Sequence, residues 1–436
     1  MKDPFEHVAI EIRQIAAGLV GLVVAGVLLT LVNPVLAGTV AVLFFFFVVM
    51  IGLHELGHFV MAKRAGMKVT EFFIGFGPRL WSMRRGETEY GIKALPLGGY
   101  CKIVGMTNLE DIDPVDEPRT YRAKGWWAKV STVVAGPVTH FVLAIGFVYA
   151  ILLGGGDLRE AKATLTIDEV TERIPVDIAA DDPELVPSGA AAAGLRAGDT
   201  IVSVDGEPVE TWAEVSKQWR DRPGAEVALV VERAGERVDI AMTIMAVYGD
   251  KTGRRVQIEP FEGGEPRGFA GLAPEADIPA VGVGEALYLA PIRTYQGAVE
   301  TVGAIGHIFS PAGISEYLGN FSSDESEQSD TRFISPVGFG RVAGDAVRAG
   351  WVEVFALLAS INLFVGLLNL LPLLPFDGGH IAVASYESIA SRIRRRAVRV
   401  DFARLLPVMV ATLSVLAFIF VSALFLDISR PPDAGF

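Results

Sequence analysis

Apolar residues in this chain gather in long blocks instead of alternating with polar ones. Five blocks stand out, at about 16–37, 39–62, 130–153, 351–374 and 404–426. Each is about long enough to carry a helix across a bilayer, which takes ~20 residues. The first is long for a signal-peptide core and lacks a small-residue cleavage site, so it reads as a retained helix. Asn33 and Pro34 end it, and Gly38 and Thr39 open the next element. Trp126, Trp127 and Trp351 stand at block edges, where interfacial anchors are expected. The pattern predicts a polytopic α-helical membrane protein.

The long stretch between the third and fourth blocks is polar and follows another period. Thr200 to Val204 alternates with β-branched residues between two turn signals, Ala197-Gly198-Asp199 and Asp205-Gly206. Residues 211–220 read as a helix, and 226–233 and 237–244 as strands. Residues 248–285 are rich in Gly, Pro and Glu and read as a linker. Residues 286–318 suit an amphipathic helix, and 322–331 are too polar for a core. After the second block, 87–106 alternates in short runs with turn glycines at Gly91, Gly98 and Gly99, which predicts a hairpin sheet close to the membrane face.

Charge orients this arrangement. From 156 to 350 there are 33 acidic and 17 basic residues. The basic excess lies in the 63–129 loop, with Lys63, Arg64, Arg84, Arg85, Lys124 and Lys129, and in the 387–404 loop, with Arg392, Arg394, Arg395, Arg396 and Arg399. Cytoplasmic loops collect Lys and Arg, so both loops are expected inside and the acidic region outside. The net charge of −13 argues against a nucleic-acid partner. A single cysteine, Cys101, excludes an intramolecular disulfide framework.

Within the second apolar block sits His54-Glu55-Leu56-Gly57-His58. Helix geometry puts positions i and i+4 on one face, where two imidazoles can bind Zn²⁺. Glu55 beside them can take a proton from an attacking water. Three ionisable groups facing lipid would be costly, so they are expected to face protein or a water-filled cavity. Catalytic zinc usually keeps a third protein ligand. A candidate lies far along the chain, in the run from Asn369 through Pro372, Pro375, Asp377, Gly378 and Gly379 to His380. Prolines and glycines break the fourth span there. Asp377 at such a break suits a metal and equally suits the cap of a following helix; the motif alone does not choose.

Taken together, HELGH in one span and NLLPLLPFDGGH in a later one resemble the site-2 protease family of intramembrane zinc metalloproteases. GFGP (75–78), GETEYGIKALPLGGY (86–100) and DGGHIAVA (377–384) are most similar to its actinobacterial members that cleave anti-sigma factors. PSGAAAAGLRAGDTIVSVDGEPV (187–209) resembles a bacterial PDZ domain. The resemblance implies a site-2 protease core with an inserted PDZ domain and a membrane-associated β-hairpin sheet. It implies zinc on His54, His58 and Asp377, with Glu55 as catalytic base. Asn369 matches the asparagine of the motif and is implied in substrate binding; the hairpin at Gly98 and Gly99 either offers a strand edge to an unwound substrate or is a plain cytosolic hairpin. The family's Gly-x-x-x-Asn reads Gly136 to His140 here, so His140 is either its substitute or a buried structural histidine. His380 is either a partner of the metal ligands or a packing residue. Cys101 reads as a small buried residue.

The implied division is an extra N-terminal helix (1–38), a first core helix (39–66), a cytoplasmic loop with the hairpin sheet (67–129), a second core helix (130–154), the extracytoplasmic PDZ domain (160–247), a linker and amphipathic segment (248–350), a third core helix (351–386), a basic loop (387–403) and a fourth core helix (404–427). The expected setting is the bacterial inner membrane, multi-pass, with the active site toward the cytoplasmic side. The implied partners are single-span protein substrates, anti-sigma factors among them, a peptide or protein ligand of the PDZ domain, and the lipid bilayer. Competing readings are a quality-control membrane zinc protease, a non-catalytic PDZ scaffold and a transporter with a proton relay. Asp377 in place of a glutamate argues against the first, and an intact Glu55 against the second.

Overall fold

A computed structural model describes residues 34–107, 110–177, 184–249, 256–258, 260, 265–321 and 333–429. Most of the expected helix at 16–37 and all of the polar stretch 322–331 lie outside them. The chain divides into two compact units. One comprises the chain before Gly155, Gly282–Ser315 and the chain from 331 to Ser429; the other is centred on Gly155–Val281.

The first helix of the first unit, α1, runs Pro34–Arg64. Gly38 and Thr39, expected to open the element, therefore lie inside the described part of this helix. It ends at Gly66, whose φ of +65° only glycine adopts freely, with Met67 N–H donating back to the Ala62 carbonyl. Two long strands follow, β1 (Val69–Arg85) and β2 (Thr88–Ile103). Both bend, so that Glu71–Ile74 pair with Gly99–Lys102 on one side and with Glu89–Ile92 on the other, while Trp81–Arg85 pair with Thr88–Ile92. The hairpin expected within 87–106 is thus a single strand of a larger sheet, and its turn lies at Gly86-Glu87. Gly98 and Gly99 are strand residues, not turn residues. The sequence reading placed them in turns because glycine usually marks one; here it marks close approach. A side chain at Gly98 would collide with the Phe76 ring, and one at Gly99 would come within 2.9 Å of Glu55 Cγ. Helix α2 then spans Trp126–Gly155.

The second unit holds β3 (Lys162–Val170), β4 (Arg173–Pro175), β5 (Leu185–Pro187), the short α3 (Gly189–Ala193), β6 (Thr200–Val204), β7 (Glu207–Pro208), α4 (Trp212–Arg220), β8 (Glu226–Arg233), β9 (Glu236–Thr243), β10 (Met245–Gly249), β11 (Val256–Gln257), β12 (Glu265–Phe269) and β13 (Leu272–Asp277). The main sheet has the order β13-β3-β6-β8-β9, with β7 paired to β6. Asp205-Gly206 and Ala234-Gly235 all take positive φ, the signature of two-residue hairpin turns. Val227, Leu229 and Val231 alternate inward from β8 onto Val215 and Trp219 of α4, with Ile167, Ile201 and Met242 completing the core. Asp199 closes the loop before β6. Burial alone would raise its pKa, but the paired guanidinium of Arg233, at 2.7 Å to each carboxylate oxygen, holds it below the ordinary value.

One expectation fails here. The stretch 248–285, read as a linker, carries β11 to β13 and part of β10. Its strands are short and hold Pro266, Gly268 and Pro274, so no local period betrays them. β13 forms because a distant partner exists, β3, more than a hundred residues earlier, while β11 and β12 flank β10 in a separate three-stranded sheet. The sheet domain therefore extends past residue 247.

The chain returns to the first unit with α5 (Val283–Ile308), followed by α6 (Pro311–Gly319), so the amphipathic helix expected over 286–318 is two helices. Then come α7 (Pro336–Ala349), α8 (Trp351–Asn369), α9 (Asp377–Arg394) and α10 (Leu406–Ser429). Among the described residues, four helical stretches are long and apolar enough to cross a membrane: Ala41–Arg64, Trp126–Gly155, Trp351–Asn369 and Phe402–Ser429. This is a membrane protein with an inserted sheet domain.

Candidate metal centre

His54 and His58 project one helical turn apart from α1, and Asp377 from the first turn of α9. The three meet. His54 Nε2 lies 3.1 Å from His58 Nε2, and each lies 3.3 Å from Asp377 Oδ2. A zinc ion held tetrahedrally at ~2.0–2.2 Å needs donors roughly 3.3 Å apart. The triangle has that size, and its side chains are only 10–15% exposed. Asp377 Oδ2 is buried without a hydrogen-bond partner. A buried carboxylate oxygen left this way is satisfied by a cation. The three residues are placed to form a metal site.

The choice left open for Asp377 is resolved by the helix start. Phe376, not Asp377, is the N-cap of α9, and its side chain makes no cap. Asp377 is the first helical residue, where the positive end of the helix favours its negative charge. Gly378 and Gly379 follow it because side chains there would run into the 370–374 backbone. That contact lets the broken segment fold under the helix and aim Asp377 at the histidines.

His58 is fixed by α2. Its Nδ1–H donates to the Thr132 carbonyl at 2.9 Å, which leaves Nε2 as the free lone pair. Gly136 makes the approach possible: a side chain there would overlap His58 Nε2 and come within 2.9 Å of His54 Cε1. Gly57 faces Ala135 across the same contact, and a side chain at Gly57 would strike its carbonyl. The α2 helix is held to α9 in turn by two largely buried bonds. Lys129 Nζ donates to Glu387 Oε2 at 3.0 Å, and Trp126 Nε1 to Ser385 Oγ at 3.1 Å. Val400 N–H donates to the other Glu387 oxygen, so the two basic loops meet in one region.

The remaining expected residues fall at different places. Glu55 is half-buried beside the triangle, against Gly99 and within hydrogen-bonding reach of the Cys101 backbone. His140 is 2% exposed, its ring centroid 5.0 Å from that of His54. Its Nδ1 pairs with Asn362 Oδ1 at 3.1 Å, and Asn362 Nδ2 donates to the Leu358 carbonyl. Asn362 was missed by the sequence reading. Its signal was an amide inside the apolar run of the fourth span, seven residues before Asn369, where polar residues mark a partner. Asn369 ends α8, half-buried, and no hydrogen bond joins it to the triangle among the described residues. His380 stacks on Phe402 at 5.8 Å and lines a small cavity with Tyr121, Lys129 and Glu387. Cys101 is partly buried, and burial, then the nearby Glu55, raises its thiol pKa well above the usual value, which is no setting for a nucleophile.

A buried His-His-Asp triangle flanked by a glutamate, its histidines on a helix able to span a membrane, is the arrangement of a hydrolytic metal centre. Comparison with known proteins gives it a family. Residues 42–416 match peptidase family M50, and the chain belongs to that family. The zinc metalloprotease Rip1 of Mycobacterium tuberculosis (strain ATCC 25618 / H37Rv) is 36% identical over 379 residues, covering 82% of this chain and 89% of its own. Rip1 of Mycolicibacterium smegmatis is 33% identical over 398 residues, 88% and 95% of the two chains. Among solved structures, the HtrA-type protease AlgW with a decapeptide overlaps 26% of this chain and 33% of its own, at 22% identity and a TM-score of 0.13, too slight to inform the fold.

Proposed function

We propose that the protein is a zinc-dependent intramembrane endopeptidase that cuts single-span membrane proteins, anti-sigma factors among them. The observation that carries this reading is the donor triangle of His54, His58 and Asp377, its two histidines and Glu55 on an apolar helix long enough to cross a membrane. Zinc held there supplies a Lewis acid for a peptide carbonyl and makes water more acidic. Glu55 takes the proton from the attacking water and returns it to the leaving amine. The β2 edge at Gly98 and Gly99 runs beside Glu55 and offers backbone groups to an unwound substrate strand. Asn369 and His140, the latter held by Asn362, complete the substrate side.

The second unit is read as a PDZ domain that selects substrates. In support, a groove of about 430 Å³ lies between α4, with Trp212, Ser216 and Trp219, and the 267–272 segment. Such a groove takes an extended peptide along a strand edge. The meeting of the two basic loops supports one shared, cytoplasmic side. The helix that carries His54 and His58 is then read as spanning the inner membrane, with the sheet domain outside.

The test is cleavage of a single-span substrate by purified protein, wild type beside Glu55→Gln, with zinc content measured in both. Wild type should cleave and Glu55→Gln should not, with zinc in each. Cleavage by Glu55→Gln at the wild-type rate would refute the role of Glu55, and a folded protein without zinc would refute the metal assignment.

A further inference from the structure

A cleft of about 820 Å³ opens where the last turn of α1 meets the hairpin sheet, away from the metal centre. Its lining includes Lys63, Arg85 and Arg119, with a single carboxylate, Glu87. Glu87 is already engaged by Lys63 at 2.5 Å and Arg119 at 2.7 Å. Arg85 is exposed and has no partner among the described residues. Among the described residues the cleft lining thus carries three cationic side chains and one carboxylate.

The surface leading out of it is apolar. In the regular part of the outer strand pair, Trp81 faces Ile92, Met83 faces Tyr90 and Arg85 faces Thr88. Residues two apart share a face, so Trp81, Ile92, Met83 and Tyr90 form a ladder that starts at Arg85. Trp81, Met83 and Ile92 are 55%, 48% and 46% exposed. The ladder also has a depth. Ile92 pairs with Ile74, whose Cδ1 lies against Gly52 of α1. The cationic end therefore stands level with Lys63, where the apolar helix ends, and the Trp81 end stands level with the middle of the span.

We propose that this cleft binds the headgroup of an anionic phospholipid, with an acyl chain lying along the Met83, Trp81 and Ile92 ladder. Charge complementarity selects an anion, and the apolar ladder running to membrane depth selects a lipid over a soluble phosphate. A bound lipid would fasten the outer strand pair to the end of α1, the helix that carries His54 and His58. The proposal does not depend on the reaction catalysed.

Retention of phosphatidylglycerol by the full chain, counted by native mass spectrometry after release from nanodiscs, tests it. Phosphatidylcholine with the same acyl chains is the reference. Each cation facing a lipid surface contributes on the order of a fivefold factor. Arg85→Gln should weaken phosphatidylglycerol retention about fivefold, and Arg85→Gln with Arg119→Gln roughly 30-fold. Inorganic phosphate should not compete. Arg85 is exposed and unpaired, so its variant leaves the fold intact if Arg119→Gln does not. Equal retention of the two lipids, unchanged retention in Arg85→Gln, or displacement by inorganic phosphate would each overturn the proposal, the last making the cleft a plain anion site.

Discussion

Substitution of Gly136 by alanine puts one methyl group where the two histidines stand. The added Cβ would lie 2.9 Å from His54 Cε1 and closer still to His58 Nε2, whereas ordinary contact begins at 3.4 Å. His54 must therefore retreat by about 0.5 Å and His58 by more, in a site that tolerates roughly 0.2 Å. His58 cannot yield freely, because its Nδ1 is tied to the Thr132 carbonyl. Breaking that bond frees the ring to turn and loses the orientation of Nε2. The expected loss of zinc affinity is on the order of 10–100-fold, or roughly 1.4–2.7 kcal/mol. Gly146→Ala on the same helix is the control, since nothing lies within 4 Å of its would-be Cβ. Zinc affinity is measured by chelator competition on detergent-purified protein, with far-UV circular dichroism to confirm helix content. Wild-type zinc affinity in Gly136→Ala, or an equal loss in Gly146→Ala, would refute the steric reasoning.

Two further outcomes follow from buried or clustered polar groups. Asn362→Ala strips His140 of its partner in a buried site and should destabilise the protein by about 1–3 kcal/mol, read as a lower thermal midpoint in detergent; Asn362→Ala with His140→Phe should recover part of it. Glu87 is held at a pKa of about 2 by Arg119 and then Lys63. Its contribution to stability is therefore present above its ordinary value of 4.5, and is lost as pH falls from there through about 2. Glu87→Gln should flatten the acid loss of stability between those pH values, and an unchanged acid limb would show that the cluster contributes nothing.

The metal centre was largely legible in the sequence because its residues are chemically unusual where they stand. Two histidines and a glutamate inside an apolar span have no cheap explanation other than a shared ligand, and the Pro/Gly break around Asp377 announces irregular backbone. What stayed hidden depends on partners distant in the chain. Asn362 has meaning only opposite His140, and Gly136 only because α1 crosses α2 at Gly57. The strands between 245 and 277 are short, interrupted by Gly and Pro and without clean alternation, so neither the β11-β10-β12 sheet nor the pairing of β13 with β3 could be seen locally. Gly98 and Gly99 were noticed, but for the turns glycine usually makes and not for the room they leave beside Glu55.

The metal ligands also set an order of events during synthesis. His58 and Asp377 are more than three hundred residues apart in the chain. A ribosome-bound chain that has delivered α1 to the membrane has two of the three ligands and the glutamate, yet no complete centre. The centre closes only after the whole sheet domain and the α8 span have been made and α9 has folded back against α2. A nascent copy thus lacks a complete centre until nearly the whole chain has been made.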